Sequence, residues 1–492
     1  MNILMYNWCQ FDDAQRRGGG VSVYLKNIIP AVLERGDKVV FLSSGHRYSL
    51  FSRMPKVNQT GNIFQSKSVK SFELHNSPVK APAHDAFGSI EQALSSPQLD
   101  KIFVDIVKEH KIDEIHFHGI EGISTGVLAA LKAQTNVSIK VWLHNYHWIC
   151  PQIELFSRAS DRCVDYAGGK NCVNCLSHIG HMPTLKKYQA LGDLLANIGL
   201  ANKPLGHLIF GLVNHGFQLV KVVLRFFRAL LKRKSIESAL GWRERSSIQT
   251  SMIHKAANSA SMFQKWRIDN VALLNEVVDQ IYAVSDIVRE QYEARGVSKG
   301  KIKVTPIGMP DDNFDDSFQV EKASSGKLRI GFLGYAIPSK GLGFLCDAIS
   351  DLADQCGDKF SLFVVSSLSP TLKRDLSMLS EKIDLAVLEG YERSELGEIL
   401  SQIDLLVVPS LWWETYNQVT YESVRARTPV LLSDTVGISM LIKNKDFLFR
   451  SGDKQDLVKT LLKFINDPSE LESFWKHEPE LPSFDDHIKM LS

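Results

Sequence analysis

Cysteine is scarce in this chain: seven in 492 residues, an odd number, with four of them gathered between Cys150 and Cys175. A secreted disulfide scaffold needs a denser and more even supply. An excess of either charge is missing too. Lys plus Arg total 57 and Asp plus Glu 55, a formal net charge of +2, so nothing in the overall balance points to nucleic acid. No apolar run reaches the ~18 residues of a transmembrane helix. The N-terminus has neither the basic region nor the cleavage site of a secretory signal. The cytoplasm is therefore the expected compartment. Short-period repeats and low-complexity tracts are absent. So is a GxGxxG fingerprint after the first strand, which counts against a dinucleotide-dependent enzyme.

What is present is ordinary globular composition, 44% hydrophobic and 23% charged. The length suits two large domains or about three average ones. Short β-branched runs alternate with helical periodicity. Strands are expected at residues 3–6, 38–42, 115–118, 141–143, 281–284 and 302–305, with a helix over 21–35 ended by Gly36. After a polar stretch around 311–327 the pattern restarts. Strands are expected at 328–333, 360–365, 385–388, 405–408 and 430–432, and helices at 341–352 and from 457 onward. Repeated strand–helix–strand units predict α/β architecture with two parallel, Rossmann-like sheets. The expected domains are 1–310 and 311–492. Residues from about 150 to 266 are too many for an ordinary connection and read as an insertion.

Three segments carry candidate chemistry. Gly18, Gly19 and Gly20 stand between first strand and first helix, where a tight turn meets a helix N-terminus able to receive an anion. A flexible linker is about as good a reading of the triplet alone. The second segment, from Pro409 to Glu422, follows an apolar strand. It places Glu414 in a loop and Glu422 about one turn into a helix starting near Asn417. Amides at that helix start suit a diphosphate, and two carboxylates could accept hydroxyls from separate parts of one ligand. The third is Cys150-x12-Cys163-x8-Cys172-x2-Cys175. It could form a tetrahedral zinc site, an iron–sulfur centre, a disulfide or free thiols.

The segment around Glu414 and Glu422 resembles the Glu-x7-Glu motif of the family 4 retaining glycosyltransferases, which have the GT-B fold. Further stretches resemble that family in order along nearly the whole chain. They begin at Gly18, at Asp113 (to His118), at Tyr282, at Pro306 (to Gly308), at Phe332 (to Gly341) and at Thr428 (to Asp434). The resemblance implies two Rossmann-like domains across a cleft and transfer of a sugar from a UDP- or GDP-linked donor, with no catalytic metal. It implies that Glu414 contacts donor-sugar hydroxyls and Glu422 the ribose. Lys340 would neutralise the diphosphate, and His144 would stand near the transferred sugar. Tyr416, Asn417, Gln418 and Val419 would supply main-chain amides. Catalysis would thus rest on His144, Lys340 and Glu414. One departure is visible: many relatives carry arginine where this chain has Tyr335.

A cysteine-rich stretch after the active-site histidine also occurs in some similar glycosyltransferases, which favours a structural zinc held by Cys150, Cys163, Cys172 and Cys175. His116, His118 and His147 read as packed or solvated histidines. From Leu219 to Lys234 there are six basic residues and no acid. Lys221, Arg225, Arg228 and Lys232 recur at helical spacing opposite Val222, Val223, Phe226, Phe227 and Leu230. That pattern fits a helix lying on an anionic membrane surface, or one packed on its own protein with a solvated basic face. The expected enzyme is a peripheral membrane glycosyltransferase acting on a polyprenyl-linked glycan, as in bacterial lipopolysaccharide or other surface polysaccharide assembly. A nucleotide-sugar epimerase or soluble glycoside synthase of the same fold, and a non-catalytic membrane scaffold, are the competing readings.

Overall fold

The computed structural model describes residues 1–13, 17–61, 64, 66–83, 90–157, 160–176, 182–200, 203–205, 208–212, 243–310 and 326–491. The basic stretch from Leu219 to Lys234 lies outside them. No helix among the described residues is long and apolar enough to cross a membrane.

Two sheets organise the chain. The N-terminal sheet has eight strands: β1 (Asn2–Tyr6), β2 (Lys38–Arg47), β3 (Lys56–Thr60), β4 (Val69–His75), β5 (Glu114–Phe117), β6 (Ser138–Leu143), β9 (Gln280–Ala283) and β10 (Ile302–Val304), in the order β10-β9-β6-β5-β1-β2-β4-β3. β7 (Phe156–Ser157) and β8 (Asp161–Arg162) form a separate small hairpin. The C-terminal sheet has six strands: β11 (Leu328–Leu333), β12 (Phe360–Val365), β13 (Asp384–Leu388), β14 (Leu405–Val408), β15 (Val430–Ser433) and β16 (Leu448–Phe449), in the order β13-β12-β11-β14-β15-β16. All described pairings in these two sheets are parallel except that of β3 with β4.

Covering helices explain the composition of the strands. β1, β11 and β14 read as nearly continuous apolar runs because both faces are buried. In each sheet the chain starts in the middle, works to one edge and then restarts beside the first strand. The restart leaves a switch point between β1 and β5 and another between β11 and β14. Loops on either side of such a point diverge and open a crevice at the strands' carboxyl ends.

The lobes touch directly. Ser285 Oγ donates to Thr415 O at 2.7 Å, Tyr416 Oη to Ile307 O at 2.7 Å, and Gln418 Nε2 to Gly20 O at 3.1 Å. The last helix, Phe484–Lys489, returns to the N-terminal lobe, where His487 Nε2 is 2.9 Å from Tyr24 Oη and Arg35 Nη1 donates to Ile488 O at 3.1 Å. The segment between β6 and β9 holds the β7–β8 hairpin, the cysteines and the long helix Arg243–Glu276.

Candidate functional site

The C-terminal crevice is built from the loops after β11 and β14. After β11 the chain makes the turn Pro338–Lys340 and enters the helix Leu342–Cys356 through Gly341. Gly341 has φ +77, and a Cβ there would stand 1.9 Å from Pro409 O, so only glycine lets the two loops close on each other. After β14 the loop runs to Asn417, which caps the helix Gln418–Arg425. Asn417 sits at φ 80, and its Oδ1 accepts from Thr420 N at 2.9 Å.

These two loops bring Lys340 and Glu414 together. Lys340 Nζ donates to Glu414 Oε1, Ser410 Oγ donates to Oε2, and Asn417 Nδ2 donates to Oε1 at 2.9 Å. Glu414 is only 2% exposed, so this cluster compensates a carboxylate withdrawn from water. Asn417 therefore does two jobs, capping a helix and orienting Glu414. Tyr416 is buried and its hydroxyl is directed to Ile307 O. Gln418 and Val419 open the helix, and Gln418 is the residue that meets the glycine loop. At Gly20 a Cβ would lie 3.3 Å from Gln418 Oε1, a close approach between lobes. Gly18 and Gly19 stand at the start of the helix Gly19–Glu34. Glu422 lies in the helix that Gln418 opens, buried, with Arg393 Nη2 2.7 Å from its Oε1. Burial pushes the Glu422 pKa up, and Arg393 opposes it.

On the N-terminal side, His144 follows β6 and His118 follows β5. His144 Nε2 is 3.2 Å from His118 Nδ1, and its ring centroid is 4.9 Å from that of Tyr24. Burial, reinforced by His487, lowers the His144 pKa to about 3. Burial holds His118 well below the usual imidazole value as well. Both rings are neutral at physiological pH. They serve as hydrogen-bonding and packing groups, not as acids. Two residues beyond His144, Tyr146 meets Trp412 edge-on at 6.3 Å, and Lys340 Nζ lies 5.7 Å from the Trp412 ring. The His144 loop thus reaches the Lys340–Glu414 pair through an aromatic contact. The buried Tyr146 hydroxyl and Trp412 indole N–H find no partner among the described residues.

Other residues at the cleft carry no motif signal. Glu154, from the insertion, is half-buried and faces Ser339, Lys340 and Glu414. Burial raises its pKa, while Ser339 and Lys340 oppose that rise. Its neighbours Ile153 (φ 68) and Leu155 (φ 53) both occupy the left-handed region, a strained arrangement that aims the residue between them. Arg162 and Arg295 place their guanidinium carbons 5.7 and 5.4 Å from the Trp413 ring. Glu121 is buried beside Asn145, and desolvation raises its pKa to about 7.

All four clustered cysteines line one small cavity, together with Gln152, Asn171 and Arg267. They are free thiols. Burial pushes Cys150 up to about 11 and Cys172 up to about 12. Among the described residues, no group of three or more His, Cys, Asp or Glu is disposed to hold a metal ion as it stands.

With this geometry in place, comparison with known proteins is informative. Residues 327–467 match the family model described as glycosyl transferases group 1. Sucrose-phosphate synthase from Thermosynechococcus elongatus has a similar structure, with TM-score 0.59 at 14% identity, covering 100% of this chain and 97% of that one. Anabaena HepE, solved in complex with UDP and glucose, gives 0.52 at 14% identity over 100% and 98% of the two chains. An E. coli trehalose-6-phosphate protein bound to UDP-2-fluoro glucose gives 0.51 at 11% identity over 100% and 98%. The fold is GT-B, and the C-terminal lobe is a glycosyltransferase domain. No curated protein sequence matches the chain at a significant level. The matched segment begins just before β11 and ends just after the helix Lys454–Asn466, so it contains Lys340, Arg393, Glu414 and Glu422.

Proposed function

We propose that this protein is a retaining glycosyltransferase that moves a sugar from a nucleoside diphosphate, UDP or GDP, to a hydroxyl of a glycan acceptor. The observation that carries this reading is the Lys340–Glu414 pair at the β11–β14 switch point, facing an N-terminal loop across the cleft. Loss of the sugar leaves a diphosphate with growing negative charge. Lys340 and the amides at the start of the helix Gln418–Arg425 stabilise that charge where it develops. When the diphosphate takes Lys340, Glu414 is released from its cation and can accept sugar hydroxyls. Glu422 holds the ribose hydroxyls. The neutral His144–His118 pair, with Tyr146 and Trp412, offers hydrogen bonds to an uncharged polyol. Attack occurs on the face that the diphosphate leaves, and the departing phosphate accepts the acceptor proton. Lobe contact at Gln418–Gly20 and Ser285–Thr415 excludes water, which would otherwise compete as acceptor.

The acceptor is proposed to be a polyprenyl-linked glycan at the cytoplasmic face of a membrane, in surface polysaccharide assembly. Support comes from the basic, acid-free composition of residues 219–234. A structural zinc at Cys150, Cys163, Cys172 and Cys175 is a further part of the reading, supported by their shared cavity. It requires the sulfurs to draw to ~2.3 Å from one centre. Metal analysis decides it: about one zinc per chain, lost in Cys172→Ser, or none.

The direct test is a thermal-shift screen of nucleotide sugars, followed by mass and anomer analysis of products made with membrane lipid extract as acceptor. A bound donor at about a hundred times its Kd should add ~2.7 kcal/mol of stability. If no nucleotide sugar raises the melting temperature and none is consumed, the reading fails. Turnover of the donor without any acceptor would favour an epimerase instead.

A further inference from the structure

A carboxylate that accepts hydroxyls must be charged and must point at them. Burial works against the first requirement at Glu422, which is 3% exposed. The counterweight comes from a different βα unit. Arg393 Nη2 stands 2.7 Å from Glu422 Oε1, supplying the opposite charge at ion-pair distance. The exposures are unequal, 38% for the Arg393 side chain and 4% for that of Glu422. The Arg393 side chain is therefore partly exposed, while its Nη2 and the Glu422 carboxylate are both withdrawn from water.

The element that presents Arg393 is rigid. Arg393–Glu395 is a single 3-10 turn closed by a capping box between Glu392 and Glu395, in which Glu392 N donates to Glu395 Oε2 at 2.6 Å. The following helix, Leu396–Ser401, anchors that turn through buried Leu396, Ile399 and Leu400. Tyr391 stands against the same ion pair, with Tyr335 beyond it. Among the described residues, the titratable groups that act on Glu422 are Arg393 and Tyr391. Burial pushes Tyr391 up to about 12, so it is neutral in the working range.

We propose that Arg393 is a positioning residue for the donor site, fixing the orientation and the negative charge of Glu422 from a turn in the loop after β13. This deepens the glycosyltransferase reading and rests on it. Glu422 without Arg393 would be a buried carboxyl with nothing to offset desolvation. It would hold its proton to higher pH and turn from hydroxyl acceptor into partial donor.

The test uses UDP and GDP as probes, titrated calorimetrically against the wild-type chain, Arg393→Gln and Arg393→Lys between about pH 5.5 and 8.5. The nucleotide that binds wild type should do so with little pH dependence. In Arg393→Gln its affinity should be weaker and recover as pH rises, approaching about tenfold per pH unit below the new Glu422 pKa. Arg393→Lys should restore most of the affinity and flatten the profile. An Arg393→Gln chain that matches wild type, or that loses affinity by one factor at every pH, overturns the proposal. A second measurement does not need the nucleotide. In 13C-glutamate-labelled protein, with Glu422→Gln to assign the signal, the Glu422 carboxyl should titrate higher in Arg393→Gln than in wild type. If it titrates at the same pH, the proposal fails. If neither nucleotide binds wild type, the donor reading falls and the carboxyl titration alone judges Arg393.

Discussion

The two lobes bring different chemistry to one cleft. The carboxyl edge of the C-terminal sheet carries charge in compensated pairs, Lys340 with Glu414 and Arg393 with Glu422. The facing N-terminal edge carries buried but neutral groups: His118, His144, Tyr24 and Tyr146. The His487 ring joins that cluster from the C-terminal helix. A diphosphate needs fixed positive charge, and burying charge demands partners. A polyol needs directional hydrogen bonds and no net charge. On the proposed glycosyltransferase reading, the charged edge would take the donor and the neutral edge the sugar and acceptor.

Removing charge from the charged edge should therefore have the largest effect. Lys340→Gln should lower transfer by about 10²–10³-fold, the loss seen when a group aimed at developing charge is removed. Nucleotide binding should weaken in the same variant, because ground-state phosphate charge is also affected. His144→Ala should reduce transfer by a smaller factor, about tenfold for one hydrogen bond, with nucleotide affinity preserved. Equal losses of nucleotide affinity in both variants, measured by titration, would erase the proposed division between edges.

A second way to sharpen the contrast is acid. Burial depresses His144 and His147 to about 3 and His487 to about 4. Unfolded histidine titrates near 6.5, so the unfolded chain takes up protons first. The fold is at full strength above about pH 6.5 and loses stability as pH falls toward about 4. At pH 5 each such histidine costs about 2 kcal/mol. Carboxylates held low, such as Glu114 at about 2, add their loss only at lower pH. Among the described residues, the depressed histidines all pack in or against the N-terminal lobe. Hydrogen exchange should accordingly show that lobe losing protection first between about pH 6.5 and 5. His487→Gln should shallow the pH dependence of melting by one histidine's share. Simultaneous loosening of both lobes, and only below about pH 4, would contradict this assignment.

Much of this arrangement could be read from sequence, and the exceptions share a cause. The expected strands at 328–333, 360–365 and 405–408 coincide with β11, β12 and β14, because an apolar run buried on both faces leaves few other conformations. The helix expected near Asn417 begins at Gln418, since Asn417 is a strong cap. β3 and β4 gave no such signal. β3 is a half-exposed edge strand with a mostly polar sequence, paired antiparallel to β4, and β4 alternates buried and exposed positions without a sustained apolar run. Arg393, Glu154 and His487 were invisible for a different reason. Their roles depend on pairs far apart in sequence, 393 with 422, 154 with 339–340 and 487 with 24, and local pattern holds no record of such pairs. The left-handed backbone at Ile153 and Leu155 is likewise imposed by packing and is disfavoured by residue type.

The smallest expected effect concerns how the neutral edge is held. His487 Nδ1 lies 2.9 Å from Pro306 O, which fixes the tautomer: Nδ1–H donates to that carbonyl, so Nε2 is left to accept from Tyr24 Oη at 2.9 Å. Tyr24 stands in the first helix, one turn from the glycine loop, and its ring packs on His144. Tyr24→Phe keeps the ring and deletes only the hydroxyl. The expected cost is ~1 kcal/mol, more if the His487 nitrogen is left buried without a donor. Because the lost bond joins the C-terminal helix to the N-terminal lobe, protection should fall first in Phe484–Lys489 and leave the Lys340–Glu414 edge unchanged. Exchange that accelerates equally around Lys340 would mean that the two edges are mechanically one unit, and that their chemical contrast does not extend to their stability.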